Sequence, residues 1–195
     1  MIRLWILLAA LLTISNWAGA ALAATDTTAL PADSVYQTAL SLRDQTGQPF
    51  ALASLRGHPV IVSMFYASCH EACPIVIDAI KRIRAAAKTR TGHAAPPVVL
   101  VSFDPTHDTV RALAMMASMH HVEASSWRLA RPEQGDVRAF AATLGVSYRT
   151  RSDGEFSHNV EIVLLDADGR IVARTSEINA LDPGFVDQVS RASTR

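Results

Sequence analysis

The chain has 195 residues, 49% hydrophobic and 18% charged, with 18 basic side chains matching 18 acidic ones. That is an ordinary composition for one globular domain, and the absence of a Lys/Arg run excludes nucleic-acid binding as a function class. No internal repeat, low-complexity block or second domain interrupts it.

Arg3 precedes an apolar stretch over residues 4–14, and Ala21-Leu22-Ala23 fits the small-residue cleavage rule. Residues 1–23 are therefore expected to be a signal peptide, with the mature chain starting at Ala24. The competing reading is an uncleaved membrane anchor, because no charge interrupts residues 4–24. Either way the folded part is extracytoplasmic and periplasmic, soluble or N-terminally anchored, touching a membrane only through that segment. Unpaired cysteines in such a compartment must be kept reduced or metallated to stay functional. Residues 24–38 are polar, Thr/Ala-rich and without periodicity, which predicts a flexible lead-in to a domain over residues 39–195.

Residues 42–52 predict a short hairpin around Thr46-Gly47, and Leu55-Arg56-Gly57-His58 a turn feeding the next strand. The apolar run over residues 60–66, broken only by Ser63, predicts a central strand buried on both faces. It leads into Cys69-His70-Glu71-Ala72-Cys73-Pro74, which holds the only two cysteines of the chain. Pro74 suits the first turn of a helix, where its missing N–H costs nothing. That helix carries Ile75, Val76, Ala79, Ile80 and Ile83 on one stripe, with Asp78, Lys81, Arg82 and Arg84 mostly elsewhere. Both sulfurs then lie at or just before a helix N-terminus, where the positive end of the backbone dipoles favours thiolate over thiol. Thiolate is the form that attacks disulfides and binds soft metals, so Cys69 and Cys73 are a candidate redox-active pair. A purely structural disulfide, or two inert core thiols, is the bland alternative. A bridge across three intervening residues closes too short a loop to stabilise a fold much, and strand-to-helix turns at a sheet edge are where α/β folds put their sites.

Residues 96–103 predict a second buried strand, followed by Asp104-Pro105-Thr106-His107-Asp108-Thr109, in which Asp104 and Asp108 shape a turn and Asp108 or Thr109 caps a helix. That helix contains Val110, Leu113, Ala114, Met116 and Ala117. Trp127-Arg128-Leu129 predicts a third, shorter strand, and residues 136–144 a helix closed by Gly145. Residues 146–149 and 160–165 have strand character, and the latter pairs with 170–174 across an Asp168-Gly169 turn. A helix over residues 183–192 ends the chain. This order of elements predicts an α/β, thioredoxin-like fold: a central mixed sheet flanked by helices, with an N-terminal hairpin.

Several segments together resemble the Sco/SenC family. They are residues 42–59 ending in Arg56-Gly57-His58-Pro59, the Cys69 to Pro74 motif, Ser102-Phe103-Asp104-Pro105-Thr106-His107-Asp108-Thr109, and His158 ahead of an apolar strand ending Asp166-Ala167-Asp168-Gly169. The likeness covers most of residues 38–192. It implies a thioredoxin-like protein that delivers copper to the binuclear copper site of cytochrome c oxidase, with Cys69, Cys73 and His158 as metal ligands. The copper-site subunit of the oxidase, or another cuproprotein, would be the partner, together with a thiol-disulfide reductant. The chain departs from the family at His70, where proline is usual, and at Ser157, where aspartate is frequent.

The residue chemistry agrees. Two thiolates and an imidazole make a soft, low-coordinate set suited to Cu(I), with Cu(II) as a second state, and no further cysteine or paired-histidine arrangement of a structural zinc site is present. Thioredoxin-type oxidoreductases use two residues between the cysteines and a cis-proline facing them. Here three intervene, and His158 stands about where the proline would be. The alternative function is a thiol-disulfide reductase acting on a partner's cysteines, which needs Cys69 and Cys73 but not His158. A peroxiredoxin-like peroxidase is a third class, disfavoured by Tyr66 at the position of the peroxide-binding threonine. Met115, Met116, Met119 and the pair His120-His121 suggest a second copper site, against which Met116 and Met119 are more simply the apolar face of a helix. His70 and Glu71 are exposed loop residues by default, and Asp78 a solvated helix carboxylate.

Overall fold

The computed structural model describes residues 29–67, 72–135, 137–152 and 154–194, with the backbone alone at 72–74 and 134. In chain order the elements are β1 (Ser41–Asp44), β2 (Pro49–Ala51), β3 (Val60–Phe65), α1 (Ala72–Thr91), β4 (Val98–Ser102), α2 (Val110–Met119), β5 (Trp127–Gln134), α3 (Val137–Leu144), β6 (Tyr148–Thr150), β7 (Phe156–His158), β8 (Ile162–Leu165), β9 (Ile171–Thr175) and α4 (Pro183–Ala192). Every residue of β3, β4 and β8 is buried. A strand hidden on both faces must also satisfy its N–H and C=O groups on both edges. Accordingly β3 lies between parallel β4 and antiparallel β8 in a seven-stranded sheet ordered β2-β1-β5-β4-β3-β8-β9. Helix α1 packs against α4, and α2 against β5 and β1. This is the mixed, helix-flanked sheet with an N-terminal hairpin that the sequence predicts.

Three expectations need correction. Strand β5 is not short: its first half pairs with β4 and its second with β1, so it runs eight residues. Arg131, Pro132 and Glu133 disguise the second half, and Pro132 is tolerated because it lies beyond the reach of β4. On α1 the buried stripe is Val76, Ile77, Ala79, Ile80 and Ile83, whereas Ile75 is 40% exposed. The spacing 76, 79, 80, 83 is the helical repeat, and Ile75 falls outside it.

The third concerns residues 24–38. From Ser34 onward this segment is packed, not flexible. Ser34 caps a single 3₁₀ turn at Val35–Gln37, and Val35 and Tyr36 are buried. The Ser34 hydroxyl donates to the Asp168 carbonyl at 2.6 Å, and the Val35 N–H to the Gly169 carbonyl at 2.9 Å. The expected signal peptide or anchor over residues 1–23 lies outside the described residues. Among those described, no helix is long and apolar enough to cross a membrane.

Gly169 has φ +83°, and a Cβ there would stand 2.5 Å from the Tyr36 ring and 2.7 Å from the Ser34 hydroxyl. Gly169→Ala should therefore cost about 2 kcal/mol or more, combining left-handed strain with the forced displacement of Tyr36. Thermal or urea unfolding of the two proteins measures it.

Candidate metal and thiol site

The site is built at the C-terminal end of β3, where a parallel strand order leaves the sheet edge open to loops. The turn after β4 secures that end twice. The Phe103 N–H donates to the Phe65 carbonyl at 3.0 Å, and the Ala67 N–H donates to both carboxylate oxygens of Asp108, each at 3.0 Å. Asp108 is 1% exposed and also accepts from the Ser102 hydroxyl. Burial raises its carboxyl above the ordinary aspartate range, opposed by the hydrogen bonds from Ser102 and Ala67. Helix α2 is capped by Thr109, whose hydroxyl accepts from the Ala112 N–H. Asp108, one of two residues expected to serve as that cap, instead holds the chain leaving β3.

Cys69, His70 and Glu71 lie outside the described residues. Cys73 is the second residue of α1, with Pro74 following it inside the first turn. The first-turn N–H groups of a helix have no partner within it, and no acidic residue shares the first turn to oppose a thiolate at Cys73. Asp78 is exposed and 3.9 Å from Lys81, a solvated helix carboxylate.

His158 arrives on a feature that the sequence did not disclose. Strands β6 and β7 form a separate antiparallel ribbon with Tyr148 opposite His158 and Thr150 opposite Phe156. Alternation along the strands puts Tyr148, Phe156 and His158 on one face. That face closes on Phe103, whose ring centroid is 4.8 Å from Tyr148, 5.1 Å from Phe156 and 5.0 Å from His158. Tyr66, three residues before Cys69, lies 5.9 Å from the His158 ring, edge to face. The sequence-predicted imidazole is thus brought to the end of β3. It is half-buried and lines an open cleft of about 580 Å³ with Ser147, Tyr148, Arg149, Ser157 and Asn159. Its Nδ1 stands 3.0 Å from the Asn159 carbonyl. A carbonyl only accepts, so this contact selects the tautomer with hydrogen on Nδ1 and a lone pair on Nε2.

Asp153-Gly154 was the available signal for the ribbon, a hairpin dipeptide between two short runs. Gly154 has φ +85°, and the Arg151 N–H donates to the Glu155 carbonyl across the turn. On α2, Met116 is buried as expected, but Met119 is 69% exposed and belongs to no apolar contact face. No group of three His, Cys, Asp or Glu side chains able to hold a metal occurs among the described residues.

The SCO1/SenC family model matches residues 29–189. The chain belongs to the SCO1/SenC family. No curated protein sequence matches it significantly. Among solved structures, Arabidopsis thaliana ScoI with copper bound is 19% identical over 79% of this chain and 95% of its own, with a TM-score of 0.67. A SCO1/SenC family lipoprotein of Bacillus anthracis is 18% identical over 79% and 92%, with a TM-score of 0.69. BsSco, a Sco protein of the cytochrome c oxidase assembly family in which a disulfide switch was identified, is 17% identical over 80% and 95%, with a TM-score of 0.64. At these identities the likeness establishes the shared fold, as expected from the order of strands and helices.

Phe103 is the one ring in contact with every other aromatic of this cluster and with His158. Phe103→Ala should cost about 3 kcal/mol or more. It should also release the imidazole, read as a broadened or doubled His158 Cε1–H signal in NMR of the folded variant.

Proposed function

We propose that this SCO1/SenC chain is an extracytoplasmic copper-binding protein of cytochrome c oxidase assembly, in which Cys69, Cys73 and His158 hold Cu(I) as cargo for the oxidase's copper-site subunit. The observation that carries the reading is the presentation of His158. Its ring is packed on Phe103 and Tyr66 at the end of the strand leading to Cys69, and its Nδ1 is engaged by a backbone carbonyl. Locking one ring nitrogen through such a contact is how proteins orient a histidine toward a metal through the other. Copper in Arabidopsis ScoI and the disulfide switch in BsSco support the same assignment by analogy.

A thiol-disulfide reductase would need only the cysteines and gives the held imidazole no task. A peroxidase is disfavoured further, since the Tyr66 hydroxyl donates to Glu155 at 2.7 Å and is committed to that carboxylate. Loading requires both sulfurs as thiolates. Oxidation to the disulfide passes two electrons to an acceptor and removes both ligands together, so a thiol reductant is the second partner this reading requires. A lipoprotein relative fits a folded domain held outside the cytoplasm.

His158→Ala leaves the sulfurs and the helix N-terminus untouched. Cu(I) affinity should fall at least about tenfold, on the order of 1.4 kcal/mol, in competition against a chelator. Disulfide-reducing activity of the same variant should stay near that of the unaltered protein. Unchanged copper affinity would remove His158 from the site and put the reductase reading first. Separately, the protein oxidised at Cys69 and Cys73 should bind Cu(I) far more weakly than the reduced protein; equal affinity in the two states would rule out the cysteine ligands.

A further inference from the structure

The turn between β4 and α2 touches both limbs of the proposed site. Phe103 packs on the His158 ring, while Asp108, five residues later, holds the backbone at Ala67. The turn is itself rigidly tied. The Asp108 N–H donates to the Asp104 carbonyl at 3.0 Å, the Asp104 N–H to the Ser102 hydroxyl at 2.9 Å, and the Asp104 carboxylate meets His107 Nδ1 at 2.8 Å.

Resting on the copper-site reading above, we propose that Asp108 is a positioning residue for copper binding: its buried carboxylate holds the Ala67 N–H and so fixes the chain leaving β3, two residues before Cys69, relative to Phe103 and His158. Three features point that way. Burying a carboxylate is costly, and capping α2 would not require one there because Thr109 does it. The β3–β4 register ends at Phe65 and Ser102, so the Ala67 N–H lies beyond the sheet and takes its acceptor from a side chain instead. Hydrogen bonds to a charged acceptor are also stronger than neutral ones, and both oxygens of Asp108 converge on the single Ala67 N–H.

The test is a double-mutant cycle in the full reduced chain, read as Cu(I) affinity by chelator competition. Asp108→Ala should weaken binding about tenfold, the usual scale for a group that orients a ligand. In a His158→Ala background the same change should cost about twofold or less, because the alignment it supports is already without its second limb. Asp108→Asn should bind within about threefold of the unaltered protein, since its amide oxygen can still accept from Ala67. Without metal, the Ala67 amide proton should lose protection from exchange in Asp108→Ala and keep it in Asp108→Asn.

Equal fold-losses in the two backgrounds would reduce Asp108 to a stabiliser of the fold and overturn the proposal while leaving the copper site standing. A folded Asp108→Ala protein with unaltered affinity, or with Ala67 still protected, overturns it as well. Should His158→Ala alone bind copper like the unaltered protein, the copper-site reading fails first and the proposal with it. If Asp108→Ala does not fold, Ser102→Ala removes the hydroxyl donor to the carboxylate; it should show a smaller loss with the same dependence on His158, and no loss would count against the proposal.

Discussion

The site depends on how β3 ends. Inside the sheet, β3 is held on both edges by regular ladders to β4 and β8, and its side chains are buried on both faces. Beyond Phe65 the ladder stops, and the chain is carried outward by one backbone contact from Phe103 and one side-chain contact from Asp108. A helix then starts at Ala72. The backbone at Cys73 stands in the positive field of that helix start, and its location follows from the strand end. Neither element alone would suffice, because a helix N-terminus lacks an address and a strand end lacks the field.

The other limb is held by different forces. His158 sits on a ribbon of two three-residue strands, too short to be stable by their own hydrogen bonds. The ribbon is fixed by aromatic contact, with Tyr148, Phe156 and His158 gathered on Phe103 and Tyr66, and Arg138 stacked 5.0 Å over the outer ring of Tyr148. Phe103 and Asp108 belong to one turn, so a single connection governs the geometry of both limbs.

Legibility in the sequence follows from how local each signal was. Strands β3, β4 and β8 are almost wholly apolar runs, with Ser63 and Ser102 the two polar residues among them. Helix α4 announces its start by an Asp182 cap and Pro183. The second half of β5 was obscured by two charges and a proline, because its partner β1 lies some ninety positions away and pairing over that separation leaves no local mark. Cys69 and Cys73 were evident as the only cysteines, and His158 from the resemblance to Sco/SenC proteins and its place before an apolar strand. The packing of that histidine was not evident, because it depends on Tyr66, Phe103, Tyr148 and Phe156, which are scattered over 91 positions and meet only in the folded chain. Asp108 looked like one of two equivalent caps, and only three-dimensional structure separates it from Thr109.

The tie between Ser34, Val35 and the Asp168-Gly169 turn has a geometric consequence. Strand β8 runs antiparallel to β3, with Ile162 beside Ser63 and Leu165 beside Val60. The turn that follows Leu165 therefore lies at the pole where β3 begins, opposite the pole where Tyr66 and His158 meet. Six residues of β3, at about 3.3 Å each, put roughly 20 Å of sheet between the two. Whatever precedes Ser34 joins the domain at the far pole, so a tether there would turn the end that carries the candidate site outward, free to meet a partner without crossing the surface to which the chain is fastened.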